Sequence, residues 1–162
     1  MSEPKTNAMR ILDSHNVPYD TLFYECGEFT DGADVAAKIR VPPEQMFKTL
    51  VAQGKSERYC VFVIPVAEDL DMKKAARSVD EKSIELIHVK DINRITGYVR
   101  GGCSPLGIKR ACRTVIHVSA EGFDRIYISG GKLGCIISVP PVKLSEIAPA
   151  SFADITQGRT TG

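Results

Sequence analysis

The residues of this chain best suited to chemistry are concentrated in Thr96-Gly97-Tyr98-Val99-Arg100-Gly101-Gly102-Cys103-Ser104-Pro105-Leu106-Gly107. Four of these twelve are glycines, and they stand beside a guanidinium, a thiol and a hydroxyl. Glycine tolerates φ > 0 and lets another group approach bare backbone, at the cost of extra entropy on ordering. Such a run can present N–H donors to a substrate oxygen, and an ordinary tight turn between apolar segments fits the same residues. Cys103 and Ser104 are candidate nucleophiles, provided a base lies near or, for the thiol, the pKa is lowered. No Asp/His pair stands near them in sequence, and a small thiol followed by a turn hydroxyl before proline makes fewer demands.

Lys48 is the second candidate. In the apolar run Phe47 to Gln53, a period of two puts it on one face with Leu50 and Ala52, opposite Phe47, Thr49 and Val51. Both faces are mostly apolar, so the strand is expected to be central and the lysine sheltered. A sheltered ammonium needs an anion, unless its stem carries it out to water. Tyr24 and Ser129 read, on their own, as a core tyrosine and a turn serine. Arg100, two residues from Tyr98, is expected on the same strand face as that tyrosine.

Other chemistries fail on spacing. Gly54-Lys55-Ser56 has the end of a phosphate-binding P-loop, but position 49 is Thr where the first glycine belongs. Gly102-Cys103-Ser104-Pro105-Leu106 has Leu where a nucleophile elbow needs glycine. Three histidines (His15, His88, His117) and five dispersed cysteines lack the short ligand pairs of a zinc site, so no metal and no cofactor is expected.

The elements that must position these residues follow from periodicity and punctuation. Thr6 is placed to cap a helix over Asn7 to His15, and a strand is expected over Tyr19 to Tyr24. Residues 25–32 read as a loop carrying Cys26 and Phe29. A helix over Asp34 to Arg40 must stop before Pro42-Pro43. Strands Phe47 to Gln53 and Tyr59 to Val66 flank a hairpin-length loop. Asp69 or Asp71 opens a helix through Ser78, Ser83 to His88 is a strand, and Val89 to Ile95 a short helix. A Gly97-Tyr98-Val99 strand leads into the glycine stretch. Strands then follow over Thr114 to Val118, Arg125 to Ser129 and Leu133 to Val139, with a closing helix over Pro141 to Ile147. Hairpins and helices without strict βαβ alternation indicate an α+β fold with a mixed sheet.

A length of 162 residues suits one domain with a sizeable core. The formal net charge of +1 gives no global field toward polyanions, so nucleic-acid binding would need a local patch. An odd number of cysteines without a C-x-x-C pair, and a polar N-terminus, indicate a reducing cytoplasm. The longest apolar run, Tyr59 to Ala67, is too short for a bilayer, so no membrane association is expected.

Six stretches in order resemble one family: Lys5-Thr6-Asn7-Ala8, Phe47-Lys48-Thr49-Leu50, Val63-Ile64-Pro65-Val66-Ala67, Leu70 to Ala76, Thr96 to Gly107, and Ile128-Ser129-Gly130-Gly131-Lys132. Together they resemble the YbaK/EbsC family of bacterial Cys-tRNA(Pro) deacylases, relatives of the editing domain inserted in some prolyl-tRNA synthetases. The sequence itself places a flexible N-terminus at 1–5 and a disordered tail at 157–162; the resemblance implies a compact α+β domain over residues 6–156 with a barrel-like mixed sheet. It implies trans-editing: cysteine is released from the 3′ end of mischarged tRNA(Pro) when its own thiol attacks the ester, so Cys103 is not the nucleophile. It further implies catalytic roles for Lys48 and for the backbone N–H groups of Gly101 and Gly102. Substrate-binding roles are implied for Tyr24, Phe29, Thr49, Arg100, Ser129 and Gly130, with prolyl-tRNA synthetase as a partner. One departure stands out: where relatives often continue with Arg-Gly-Leu and a polar or acidic residue, this chain has Leu133-Gly134-Cys135-Ile136. The alternatives therefore include alanine rather than cysteine as the amino acid removed, a non-catalytic tRNA- or synthetase-binding module, and a hydrolase built on Cys103.

Overall fold

A computed structural model describes residues 5–25, 32–110 and 113–158. The expected loop residues Cys26 and Phe29 and most of both expected flexible ends lie outside the described residues. In chain order the elements are α1 (Asn7–Ser14), β1 (Asp20–Phe23), α2 (Gly32–Ile39), β2 (Phe47–Gly54), β3 (Tyr59–Pro65), α3 (Met72–Ser78), β4 (Ile84–Leu86), α4 (Ile92–Thr96), β5 (Arg113–His117), β6 (Ile126–Ser129), β7 (Cys135–Val139), α5 (Pro141–Ile147) and β8 (Ala150–Ala153).

The strands form two sheets, β1-β7-β6 and β4-β2-β3-β5-β8. β3 and β5 pair in parallel, as do β5 and β8, and the other ladders are antiparallel. The mixed α+β expectation holds. The sheets do not close into a barrel among the described residues; the isolated parallel bridge Met46↔Tyr127 joins them instead.

Alternation along β2 sorts its side chains as the sequence indicates. Phe47 and Val51 enter the core between the two sheets, with Val61, Val63 and Ile116 from one side and Ile126, Ile128, Ile137 and Val139 from the other. Leu50 and Ala52 face the opposite way, into a second core closed by Ala75, Ala76 and Val79 of the α3 region. The ends of α1 and α3 are set by side-chain caps. Thr6 Oγ1 accepts the Met9 N–H at 3.2 Å, and Asp71 Oδ1 accepts the Lys74 N–H at 3.0 Å.

Two expectations need correction. Gly97-Tyr98-Val99 is not a strand. Gly97 takes φ 84° as the left-handed residue ending α4, and Thr96 Oγ1 accepts the Tyr98 N–H at 3.0 Å. With Asn93 Nδ2 donating to the Tyr98 carbonyl, side chains supply the bonds a ladder would have made. Tyr98 is therefore buried and Arg100 exposed, not aligned on one face. The strand β8 has no counterpart in the sequence reading: Ala150-Ser151-Phe152-Ala153 is short and lacks β-branched residues, and it exists because β5 offers it an edge.

Candidate functional site

The site begins with an interruption in the sheet. β2 pairs with β3 from Phe47 to Gln53 on one edge. On the other edge, β4 covers only Ala52 to Gly54, and the bridge to Tyr127 reaches only Met46. Between them, Phe47 to Val51 line a cleft of about 550 Å³. Its walls are Tyr24 after β1, the start of α2, Val66 after β3, the Leu86 to Ile92 segment, the Arg100 to Cys103 loop, and Ser129 and Ile136 of the smaller sheet. A strand inside the sheet order therefore has an open edge that faces the cleft.

The structure brings Tyr24, Lys48, Thr49, Arg100, Gly101 and Ser129 to this cleft. Lys48 is half-buried there and makes no hydrogen bond or ion pair among the described residues. A half-buried ammonium facing a cleft, with no anion beside it among the described residues, is free to accept one. Thr49 Oγ1, on the opposite face of β2, is buried with no hydrogen-bond partner among the described residues. Ser129 Oγ accepts the Gly131 N–H at 3.2 Å, so its hydroxyl shapes the turn as well as lining the cleft.

The glycine loop divides in two. Gly101 lines the cleft at φ 82°, a backbone conformation that favours glycine. Gly102 is buried and does not line it. Its N–H donates to the Val99 carbonyl at 2.9 Å, and a Cβ there would lie 3.0 Å from the Lys132 backbone. The sequence expectation that Gly102 supplies a donor is corrected on that ground: its N–H is consumed within the turn. Gly130 is likewise off the cleft. Its N–H donates to the Cys135 carbonyl at 2.8 Å, and its own carbonyl accepts from Thr6 Oγ1 at 2.5 Å. Both glycines serve close packing, which the sequence cannot separate from close approach to a ligand. Phe29 lies outside the described residues.

Cys103 does line the cleft, half-buried, with its Sγ 3.7 Å from the Ser104 carbonyl. Ser104 is fully buried, and its Oγ accepts the Leu106 N–H at 3.1 Å, an ordinary turn role. No histidine, aspartate or glutamate is among the described residues lining the cleft. Nearby Tyr98 is held by burial as a neutral phenol, its pKa raised to about 12, and its hydroxyl donates to the Leu106 carbonyl.

The two ends of the cleft differ. Beside β6, Val35, Met46, Val66 and Ile136 form one buried apolar cluster with Tyr24 packed against it. Ile136 is 3% exposed, whereas Leu133 is 44% exposed and does not line the cleft, so only the second of the two departures bears on the site. Beside β4, Leu86 and Val89 line the mouth and are largely exposed. Their alternation with polar neighbours gave no functional signal in the sequence. A larger concavity of about 670 Å³ at the far end of β3 is walled by Arg58, Glu81, Arg110 and Arg113 and contains none of the sequence-predicted residues. Arg113 there pairs with Asp80 at 3.2 Å.

Comparison with known proteins places this geometry. A family model described as the aminoacyl-tRNA editing domain matches residues 28–147. The candidate Cys-tRNA(Pro)/Cys-tRNA(Cys) deacylase EbsC of Enterococcus faecalis is 37% identical over 156 residues, 96% of this chain and 95% of that protein. The crystal structure of the hypothetical protein APE2540 superposes with a TM-score of 0.85 at 19% identity, covering 93% of this chain and 99% of that one. That of a candidate trans-editing enzyme for prolyl tRNA synthetase gives 0.80 at 20% identity, over 96% of this chain and 100% of that one. At these identities the two superpositions speak for the fold.

Proposed function

The chain belongs to the aminoacyl-tRNA editing domain family, and from that membership we propose that it removes cysteine mischarged onto tRNA(Pro), cleaving the ester at the 3′ end of the tRNA. The observation that carries the mechanism is a cleft with a half-buried, unpartnered Lys48 and no histidine or carboxylate among its described lining residues. A hydrolase using its own nucleophile needs a base beside it. Here the nucleophile arrives with the substrate.

The cysteinyl thiol attacks its own carbonyl carbon. The S–C bond forms, the ester C–O bond breaks, and the thiol proton ends on the departing ribose oxygen, leaving a cyclic thiolactone and an intact tRNA 3′ end. The protein holds the two groups in attacking geometry and stabilises the developing oxyanion. Gly101, with its backbone turned to the cleft, is the donor for that oxygen. Lys48 and Arg100 hold the phosphate and ribose of the terminal nucleotide. Tyr24, Thr49 and Ser129 supply neutral polar contacts, and the apolar end with Ile136 receives the amino-acid side chain. A pocket discriminates a small size difference by only about 1–3 kcal/mol, which is why a synthetase confusing cysteine with proline needs a second site. Prolyl-tRNA synthetase is the partner that would deliver the correct tRNA; one structural neighbour is described as a trans-editing enzyme for that synthetase.

Single-turnover deacylation of Cys-tRNA(Pro), Ala-tRNA(Pro) and Pro-tRNA(Pro) tests the reading. Cysteine release is expected to be fastest. It should survive in Cys103→Ala and fall about 10- to 100-fold in Lys48→Met, the loss of one charge-assisted contact. Activity abolished in Cys103→Ala but intact in Lys48→Met would establish the hydrolase reading instead, and no release from any aminoacyl-tRNA would leave a binding module.

A further inference from the structure

The open edge of β2 offers more than a wall. Val51 accepts the Ile87 N–H at 3.0 Å on the side away from β3. Backbone groups alternate in direction along a strand, so the N–H and C=O of Thr49 and the N–H of Val51 turn to that same side. No ladder, bridge or loop bond takes the Thr49 C=O or the Val51 N–H among the described residues. A strand edge with a carbonyl at one residue and an N–H two residues on is a planar acceptor–donor pair. This is the pattern by which an edge recognises another strand. It is also complementary to the Watson–Crick edge of adenine, whose N6 amino donates beside an accepting ring N1.

The surroundings at this point suit a base. Leu86, Ile87, Val89 and Ile92 gather on the β4 side of the cleft, where Leu86 is 47% and Val89 54% exposed. The amino-acid pocket around Ile136 lies at the other end, with Lys48, Thr49 and Gly101 between. A terminal adenosine laid along β2 would put its base at the apolar mouth, its sugar and phosphate by Lys48, and its ester by Gly101.

We propose that the open edge of β2 is an adenine-reading site, in which the Thr49 carbonyl accepts from N6 and the Val51 N–H donates to N1, with the base held against Ile87, Val89 and Ile92. This rests on the editing reading for its substrate, since every tRNA ends in adenosine, and it assigns base recognition to backbone rather than to any side chain. It also explains why the ladder between β2 and β4 stops at Ala52: extending it would occupy the groups that read the base.

The test needs no variant that endangers the fold. Amide spectra of the full chain are recorded while AMP or IMP is added. Inosine reverses both positions, placing a carbonyl where adenine has its amino group and an N–H where it has an acceptor. AMP is expected to move the Val51 amide resonance, with IMP binding about 10- to 100-fold more weakly. An unmoved Val51 amide at saturating AMP, or equal affinity for IMP, overturns the proposal. In parallel, chemically aminoacylated minihelices ending in adenosine or inosine are compared for deacylation. Cleavage favouring adenosine by a similar factor supports the site, and equal cleavage of both overturns it while leaving the editing function standing. If AMP moves Val51 as expected but no aminoacyl end is cleaved, the editing reading falls and the base site remains.

Discussion

Lys48 and Thr49 are neighbours in sequence, yet they meet the cleft by different routes, one through a side chain with no partner among the described residues and the other through an open backbone edge. At the residue scale, the same logic isolates Ile136. It lies at 3% exposure in an apolar cluster with Val35, Met46 and Val66. An apolar floor gives no hydrogen bond to a thiol or an α-amine and measures its guest by volume. Ile136→Ala is therefore expected to admit larger side chains. The ratio of Ala- or Cys-tRNA(Pro) to bulkier aminoacyl-tRNA cleavage should fall by about 10-fold or more, the worth of one or two methylenes in a pocket. Steady-state kcat/KM on a series of aminoacyl groups reads this, and an unchanged ratio would place the size filter elsewhere.

At the scale of elements, the end of β5 is tied to the chain beyond β8 through a histidine. His117 is 7% exposed, and its Nδ1 accepts the Ile155 N–H at 3.2 Å. Its Nε2 stands 3.5 Å from Thr156 Oγ1, which donates to Glu68 Oε1 at 3.1 Å. Burial lowers the His117 pKa from its ordinary 6.5. Glu68 and Asp154 oppose that shift, and Lys74, paired to Asp154, reinforces it. A histidine whose folded pKa lies below its unfolded value binds its proton more weakly when folded. Stability is therefore full above about pH 6.5 and is lost as pH falls through the lowered folded value, with a slope of at most about 1.4 kcal/mol per pH unit for one proton. Urea midpoints at pH 7.5 and 5.0 should differ in the native sequence and differ less in His117→Asn. Parallel lines for the two proteins would show that other groups govern acid unfolding. The cap of α1 works similarly across distance: Thr6 Oγ1 bonds both Met9 N–H and the Gly130 carbonyl, fixing the helix to the turn beside Ser129.

For the whole molecule, a net charge of +1 and a cleft with Lys48 and Arg100 imply that few phosphates are neutralised on binding. Each contact to a single-stranded end contributes a slope of about −0.7 to log Kobs against log[salt]. A slope near −1.4 is expected for the two cations, rising by about 0.7 toward zero in either Lys48→Met or Arg100→Met, as measured by filter binding across a salt series. A slope several-fold steeper would reveal a wider basic track.

Local sequence was enough for the class of the fold, most element positions, the sidedness of β2 and the oddity of Lys48. These follow from local periodicity, capping and the cost of sheltering a charge, all of which are written within a few residues. It could not separate Gly101 from Gly102, because both have the same intrinsic freedom, and only the turn bond to Val99 removes one N–H from the cleft. Nor could it tell that Ile136 lines the site and Leu133 does not, or that Ala150–Ala153 is a strand, since each depends on what lies across from it. The open edge of β2 is the clearest case. Its residues read as a buried central strand, and only the early end of β4 and the single bridge to Tyr127 leave its backbone facing a cleft. A missing neighbour is a property of the assembled chain, with no residue of its own to announce it.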